Sequence, residues 1–221
     1  MISVCIPTFE QYGHGVANLT KLFESLKIQK GDFEVVISDN SKNDDIKNLC
    51  KSQSGLEIKY IKNPIIGISH NSNNAIANAS CDFIKIMYMD DLLLQDNALL
   101  LFESFLHQSA WVVSCTYWID TNGKVIKPHH PQWNINMLKG TNTMGMPSIM
   151  AIRKNEFEFD PNLKTLLDCE YMWLLYQKFG FAKVIPLFLV GQRIWAKSTS
   201  HMQGNFKSSE YQYLRKKHNL K

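Results

Sequence analysis

Short apolar runs alternate with amphipathic helical segments along the first hundred residues, and few folds accommodate that alternation. Ile2-Ser3-Val4-Cys5-Ile6-Pro7 is a buried-strand pattern closed by proline. Leu19, Leu22, Phe23 and Leu26 then recur at helical spacing, and Glu34-Val35-Val36-Ile37-Ser38 reads as a second buried strand. The β-α-β rhythm continues with a helix around Ile46, Leu49 and Cys50, a strand from Glu57 to Ile61, a helix from Ser69 to Ala79 and a strand from Phe83 to Tyr88. Strands joined by crossover helices pair in parallel, so the expected fold class is α/β, a mostly parallel sheet flanked by helices. Ligands of such sheets bind beyond the carboxyl ends of the strands, where the loops hold the chemistry.

The second half follows another pattern. After a helix carrying Ala98, Leu101, Phe102 and Phe105, a hairpin is expected from Trp111–Ile119 and Lys124–Ile126 around the turn signal Asn122-Gly123. Residues 127–146 have little periodicity. A helix with Leu167, Tyr171, Leu174, Leu175 and Lys178 stops at Gly180, and a strand from Val184 to Val190 follows. At 221 residues the chain is long enough for one domain over 1–205, in two halves at 1–95 and 96–205, with a basic tail at 206–221.

Charge and cysteine usage exclude several classes. The formal charge of +4 is matched by the tail alone, where Lys207, Arg215, Lys216, Lys217 and Lys221 stand against Glu210. A neutral body lacks the basic face expected of a nucleic-acid binder, so no nucleic-acid partner is expected. Five cysteines without a C-x-x-C pair argue against zinc and fit a reducing compartment. No run reaches the roughly 18 apolar residues of a spanning helix, and the chain enters its first strand without a basic leader. The expected location is cytoplasmic. Tyr211, Leu214 and His218 fall on one side of a short helix ringed by basic residues, which leaves open a peripheral contact with anionic lipid at the inner face of the membrane, against a solvated, frayed terminus.

Phosphate-binding motifs are informative by default. There is no G-x-x-x-x-G-K-[ST]; Gly13-His14-Gly15 continues to Asn18 where the dinucleotide fingerprint has Gly or Ala; Gly67-Ile68-Ser69-His70-Asn71 lacks the last glycine of a nucleophile elbow. Carboxylates stand at the strand ends instead. Asp39 follows the second strand, and the adjacent Asp90 and Asp91 follow the strand at Phe83. Neighbouring carboxylates repel unless a cation or donors hold them, which points to a divalent metal; helix capping and turn roles are the structural alternatives.

Taken together, Ile2–Phe9, Val35–Ser41, Gly67–Asn74 and Phe83–Asp91, then Gly145-Met146-Pro147-Ser148, Phe159-Asp160, Leu167–Tyr171 and Arg193 with Ser198 and Ser200, resemble the family 2 glycosyltransferases of GT-A fold. The resemblance covers about residues 1–202. It implies transfer of a sugar from a nucleotide diphosphate, UDP being expected, to a saccharide or glycolipid hydroxyl by metal-assisted inverting displacement. Pro7, Thr8 and Glu10 would line the base-binding loop, Asp39 would bond the uracil or ribose, and Asn71 would sit over the nucleotide. Asp90, with Asp91 beside it, would reach Mn²⁺ or Mg²⁺, and Arg193 would meet the diphosphate. Met146, Pro147, Ser148 and Trp195 would face the acceptor. Asp168 would be the catalytic base with Glu170 in reserve, since residues two apart on a helix point about 200° apart.

Two positions depart from the family pattern. Tyr88 replaces the first carboxylate of D-x-D-D, and Trp195 stands where R-x-H has its histidine, with His201 six residues later. A catalytically impaired domain that binds a nucleotide sugar or a partner glycosyltransferase is the alternative reading. His129-His130 is expected to be a solvated loop pair, and Trp111, Trp118 and Trp173 core residues, leaving Trp133 and Trp195 to stack on a sugar ring.

Overall fold

The computed structural model describes residues 1–10, 13–194 and 207–220. Its N-terminal half is built from β1 (Ile2–Thr8), α1 (Gly15–Lys27), β2 (Phe33–Asp39), α2 (Asp45–Ser52), β3 (Ile58–Lys62), α3 (Ile68–Ala77) and β4 (Phe83–Ile86). These four strands lie in the order β3-β2-β1-β4 and all pairs are parallel. β1 and β2 are buried nearly throughout because helices cover both faces, which is why their sequences are continuous apolar runs rather than alternating ones. On α1, Leu19, Leu22, Phe23 and Leu26 form the buried stripe that the spacing predicts.

The remaining elements are β5 (Leu92–Leu93), α4 (Ala98–Leu106), β6 (Trp111–Ile119), β7 (Val125–His129), β8 (Met150–Arg153), α5 (Leu167–Phe179), β9 (Lys183–Arg193) and α6 (Lys207–Lys217). β8 runs antiparallel between β4 and β6, β9 pairs parallel with β6 and antiparallel with β5, and β7 closes the hairpin on β6. The result is a mixed sheet with a parallel N-terminal half. Strand β8 escapes sequence reading because Ile149–Ile152 is too short a run to separate from its loop. β4 is shorter than expected, and β9 is longer, reaching Arg193.

β1 continues one residue past Pro7, which the proline rule alone does not predict. Cys5 accepts a bond from the Met87 amide on the β4 side, and by strand parity Pro7 faces the same way. β4 has already left the ladder at Ile86, so the missing N–H of Pro7 costs no sheet bond.

The C-terminal segment also departs from its expected solvated state. Leu214 of α6 is fully buried, and Lys217 and His218 bond to the body, so the face shared by Tyr211, Leu214 and His218 turns onto the protein. All five cysteines are free and buried. Among the described residues, no helix is long and apolar enough to cross a membrane.

Candidate active site

β1, β2 and β4 end on one edge of the sheet, where Thr8 and Asp39 stand in register. Asp39 has no exposed surface. Its Oδ1 accepts from the Ser41 N–H at 2.9 Å, the Ser41 hydroxyl at 2.5 Å and the Thr8 hydroxyl at 3.3 Å, while Oδ2 accepts from the Tyr60 hydroxyl at 2.8 Å, with Lys62 Nζ at 3.6 Å. Burial first, and then the bond to Asp39, raise the Tyr60 phenol above its ordinary range. A base reaching Asp39 would displace one of these donors.

Asn71 is likewise spent in the scaffold. It accepts from the Ser38 hydroxyl at 2.6 Å and donates to the Thr8 carbonyl at 2.9 Å, mooring α3 to the ends of β1 and β2. Asn40 ties the following loop, donating to the Asn63 and Ile65 carbonyls and accepting from the Gly67 N–H. Glu10 departs from the expectation of a base-binding residue. Its carboxylate takes the Gly15 and Val16 N–H groups at 3.1 Å each, capping α1. A Cβ at Gly15 would come within 2.9 Å of the Glu10 backbone, so glycine is what permits the approach.

The two aspartates after β4 have separate roles. Asp91 is 2% exposed and turns inward, accepting the Arg193 N–H at 3.0 Å. Burial and the Asp90 charge raise its carboxyl above the ordinary range, opposed by the Ser148 hydroxyl, the Arg193 N–H and Lys85. That orientation removes Asp91 from the expected metal set. Lys85, fully buried on β4, donates to the carbonyls of Ile86 at 2.7 Å and Met150 at 3.3 Å and to that of Ser148. Burial pulls its ammonium down to about 7. A lone lysine inside Phe83–Met87 was the sequence signal for this tie between the two halves.

Asp90 is partly exposed and its carbonyl accepts Arg193 Nε at 2.8 Å. Arg193 Nη1 donates to the Thr121 carbonyl at 2.7 Å, and the buried Nη2 has no partner among the described residues. Among the described residues no three His, Cys, Asp or Glu side chains cluster as a metal site. A magnesium-type ion needs only one or two carboxylates when substrate phosphates complete its shell, so Asp90 alone fits an ion that arrives with a diphosphate.

Across from this edge, Ser148 accepts the Tyr88 N–H at 2.9 Å, fixing the Met146-Pro147-Ser148 turn against the end of β4. Pro147 and Ser148 are buried, so among the described residues of this expected acceptor set Met146 alone presents surface. Asp168, at the start of α5, accepts the Asn142 amide at 2.9 Å and its neighbour Cys169 N–H at 2.8 Å. Burial raises its carboxyl above the ordinary range. Burial first, and then the Asp168 charge, raise the Tyr88 phenol above its ordinary range, and the turn 142–148 that bonds Asp168 through Asn142 also takes the Tyr88 N–H through Ser148. No sequence signal marked Asn142, which sits in a stretch without periodicity.

Glu170 does not join them. It is wholly buried on the opposite side of α5, with Lys217 Nζ and His218 Nε2 both 2.7 Å from Oε1, so its reserve catalytic role is replaced by a structural one. Trp133 packs on Tyr176 and Phe181, at 4.2 and 5.9 Å between ring centroids, rather than standing free as a sugar platform. His129 meets the Met144 carbonyl and His130 the Cys115 sulfur, so the pair shares no site. Trp195, Ser198, Ser200 and His201 lie outside the described residues.

The family model for glycosyl transferase family 2 matches residues 3–163. The chain belongs to that family. Its fold is that of solved glycosyltransferases of GT-A type. The crystal structure of S. aureus TarS 1–349 superposes with TM-score 0.66 at 19% identity, over 87% of this chain and 60% of that one. The same protein in complex with UDP gives 0.66 at 17% identity, over 97% and 70%. A mannosyltransferase from Pyrobaculum calidifontis, in complex with GDP-Man and Mn²⁺, gives 0.63 at 14% identity, over 90% and 58%. This family 2 chain thus spans about 60% of the TarS 1–349 chain. No individual curated sequence matches it significantly.

Proposed function

We propose that the chain transfers a sugar from a nucleotide diphosphate donor to an acceptor hydroxyl. The observation that supports this reading is that one turn, 142–148, bonds Asp168 through Asn142 and, through Ser148, the end of β4 that leads into Asp90. UDP and GDP-Man in complexes of the same fold support a nucleoside diphosphate sugar as donor.

In this reading Pro7, Thr8, Asp39 and Asn71 form the floor under the nucleotide, with Glu10 shaping the loop from outside. Asp90 would hold Mn²⁺ or Mg²⁺, which when bound neutralises charge on the departing diphosphate. Arg193 Nη2, without a partner among the described residues, would donate to a phosphate oxygen, a charge-assisted bond that strengthens as the leaving group gains charge. Asp168, aimed by Asn142, would take the proton of the acceptor hydroxyl as it attacks the anomeric carbon, giving inversion. A raised carboxyl is the better base for that task. The acceptor would be a saccharide or lipid-linked hydroxyl beside Met146.

The test is incubation of the full chain with UDP-N-acetylglucosamine, UDP-glucose and GDP-mannose in MnCl₂, with released nucleotide quantified. Release that stops on chelation supports the transferase. Metal-linked nucleotide binding with no release from any donor would favour the impaired, binding-only domain, the reading prompted by Tyr88 in the D-x-D-D position.

A further inference from the structure

α5 begins without a cap of its own. Leu166 stands at its N-cap and offers no side-chain bond, yet the amides before a helix's first turn need acceptors. They find one in Glu210, on α6. Its Oε1 takes the Lys164 N–H at 2.8 Å and the Thr165 N–H at 3.3 Å; Oε2 takes Thr165 at 3.1 Å and Leu166 at 2.8 Å. Glu210 is only 6% exposed, and a carboxylate over amides at the positive end of a helix is held firmly. Asp168 lies two residues beyond Leu166.

The same helix grips both flanks of that turn. Lys217 Nζ lies 2.6 Å from Asp160 and 2.7 Å from Glu170, His218 adds a second bond to Glu170, and Tyr213 donates to Asp160 at 2.7 Å. Asp160 is also joined to the N-terminal half, where Ser69 of α3 donates to its carbonyl at 2.9 Å. Asp168 is thus framed by anchors on α6, with Glu210 nearest in sequence contact.

We propose that Glu210 is a positioning residue for Asp168, holding the segment 164–166 that leads into α5 so that the Asp168 carboxylate meets the acceptor hydroxyl in reacting geometry. This rests on Asp168 being the base. A purely structural staple between α6 and the body would lower stability on loss of Glu210 and leave turnover by the folded protein unchanged.

The full chain is prepared as Glu210→Ala, Glu210→Gln, Asp168→Asn and the Asp168→Asn/Glu210→Ala pair, and assayed on the donor that the unmodified chain turns over. Glu210→Ala is expected to lower kcat about 10- to 100-fold with donor KM within about twofold, the scale of a small misplacement in a reacting group. Glu210→Gln, which keeps an acceptor oxygen, is expected to recover part of the loss and serves alone if the alanine variant does not fold. The paired variant is expected to lose no more than Asp168→Asn, because the two residues act through one group. Multiplying losses in the pair, or a KM effect without a kcat effect, would overturn the proposal. Full transfer by Asp168→Asn alone would instead remove the base reading, and the single variant reveals that separately. Hydrogen exchange gives a check without turnover: amides 164–170 should exchange faster in Glu210→Ala while β1 is unchanged, and equal protection there would overturn the proposal.

Discussion

Asn142 donates its side-chain amide to Asp168 at 2.9 Å while its own carbonyl oxygen accepts the N–H groups of Met144 and Gly145 at 3.0 Å each. One asparagine therefore fixes the base candidate and shapes the turn entering Met146-Pro147-Ser148. Gly145, at φ +121°, lets that turn close, and a Cβ there would press on Ile149 and His129.

Asn142→Ala is expected to lower kcat about tenfold, since a lost bond to a charged group is worth about 1.5 kcal/mol at the low end. UDP affinity should not change, because no donor contact is assigned to Asn142. Steady-state rates and calorimetric titration with UDP check both halves.

Lys85→Met is expected to cost about 3 kcal/mol of stability, because three buried carbonyls lose their donor and Asp91 loses its nearby cation. Urea unfolding of the variant against the parent at neutral pH measures it. A cost below about 1 kcal/mol would mean that the halves are held together without this lysine.

Asp160 supplies a pH dependence. Burial pushes its carboxyl up, but Lys217, the Asn162 amides and Tyr213 outweigh burial and bring it from 3.8 to about 2. A carboxyl lowered on folding stabilises the fold above its unfolded value, and that contribution fades as pH falls through the folded one. Asp160→Asn should therefore cost about 1 to 2 kcal/mol at pH 7, with the gap to the parent closing between about pH 4 and pH 2. Denaturant titrations across that range check it, and a constant gap would contradict the assignment.

Most of the N-terminal half was legible because its buried strands are continuous apolar runs and its helices carry regular stripes, as on α1. The strand ends followed from that rhythm, and with them Asp39 and Asp90, whereas Asp168, at the start of α5, was singled out by the resemblance. What stayed hidden depends on where side chains turn after folding. Nothing local told Asp91 from Asp90, since only the arrival of the Arg193 N–H from β9 draws one inward. Glu10 reads as a loop residue until α1 presents two amides to it, and Glu170 as a second base until α6 brings Lys217 and His218 against it. β8 and Asn142 were missed for want of period. The tail looked free because the surface that Leu214 covers is assembled from distant segments.

Binding of UDP by calorimetry, with and without Mn²⁺, to the parent and to Asp90→Ala tests the donor site most directly. The account predicts that Mn²⁺ tightens UDP binding by the parent about tenfold or more, and that Asp90→Ala keeps the fold and the metal-free affinity but loses the gain. Equal affinities with and without the ion, or a gain that survives in Asp90→Ala, would contradict it.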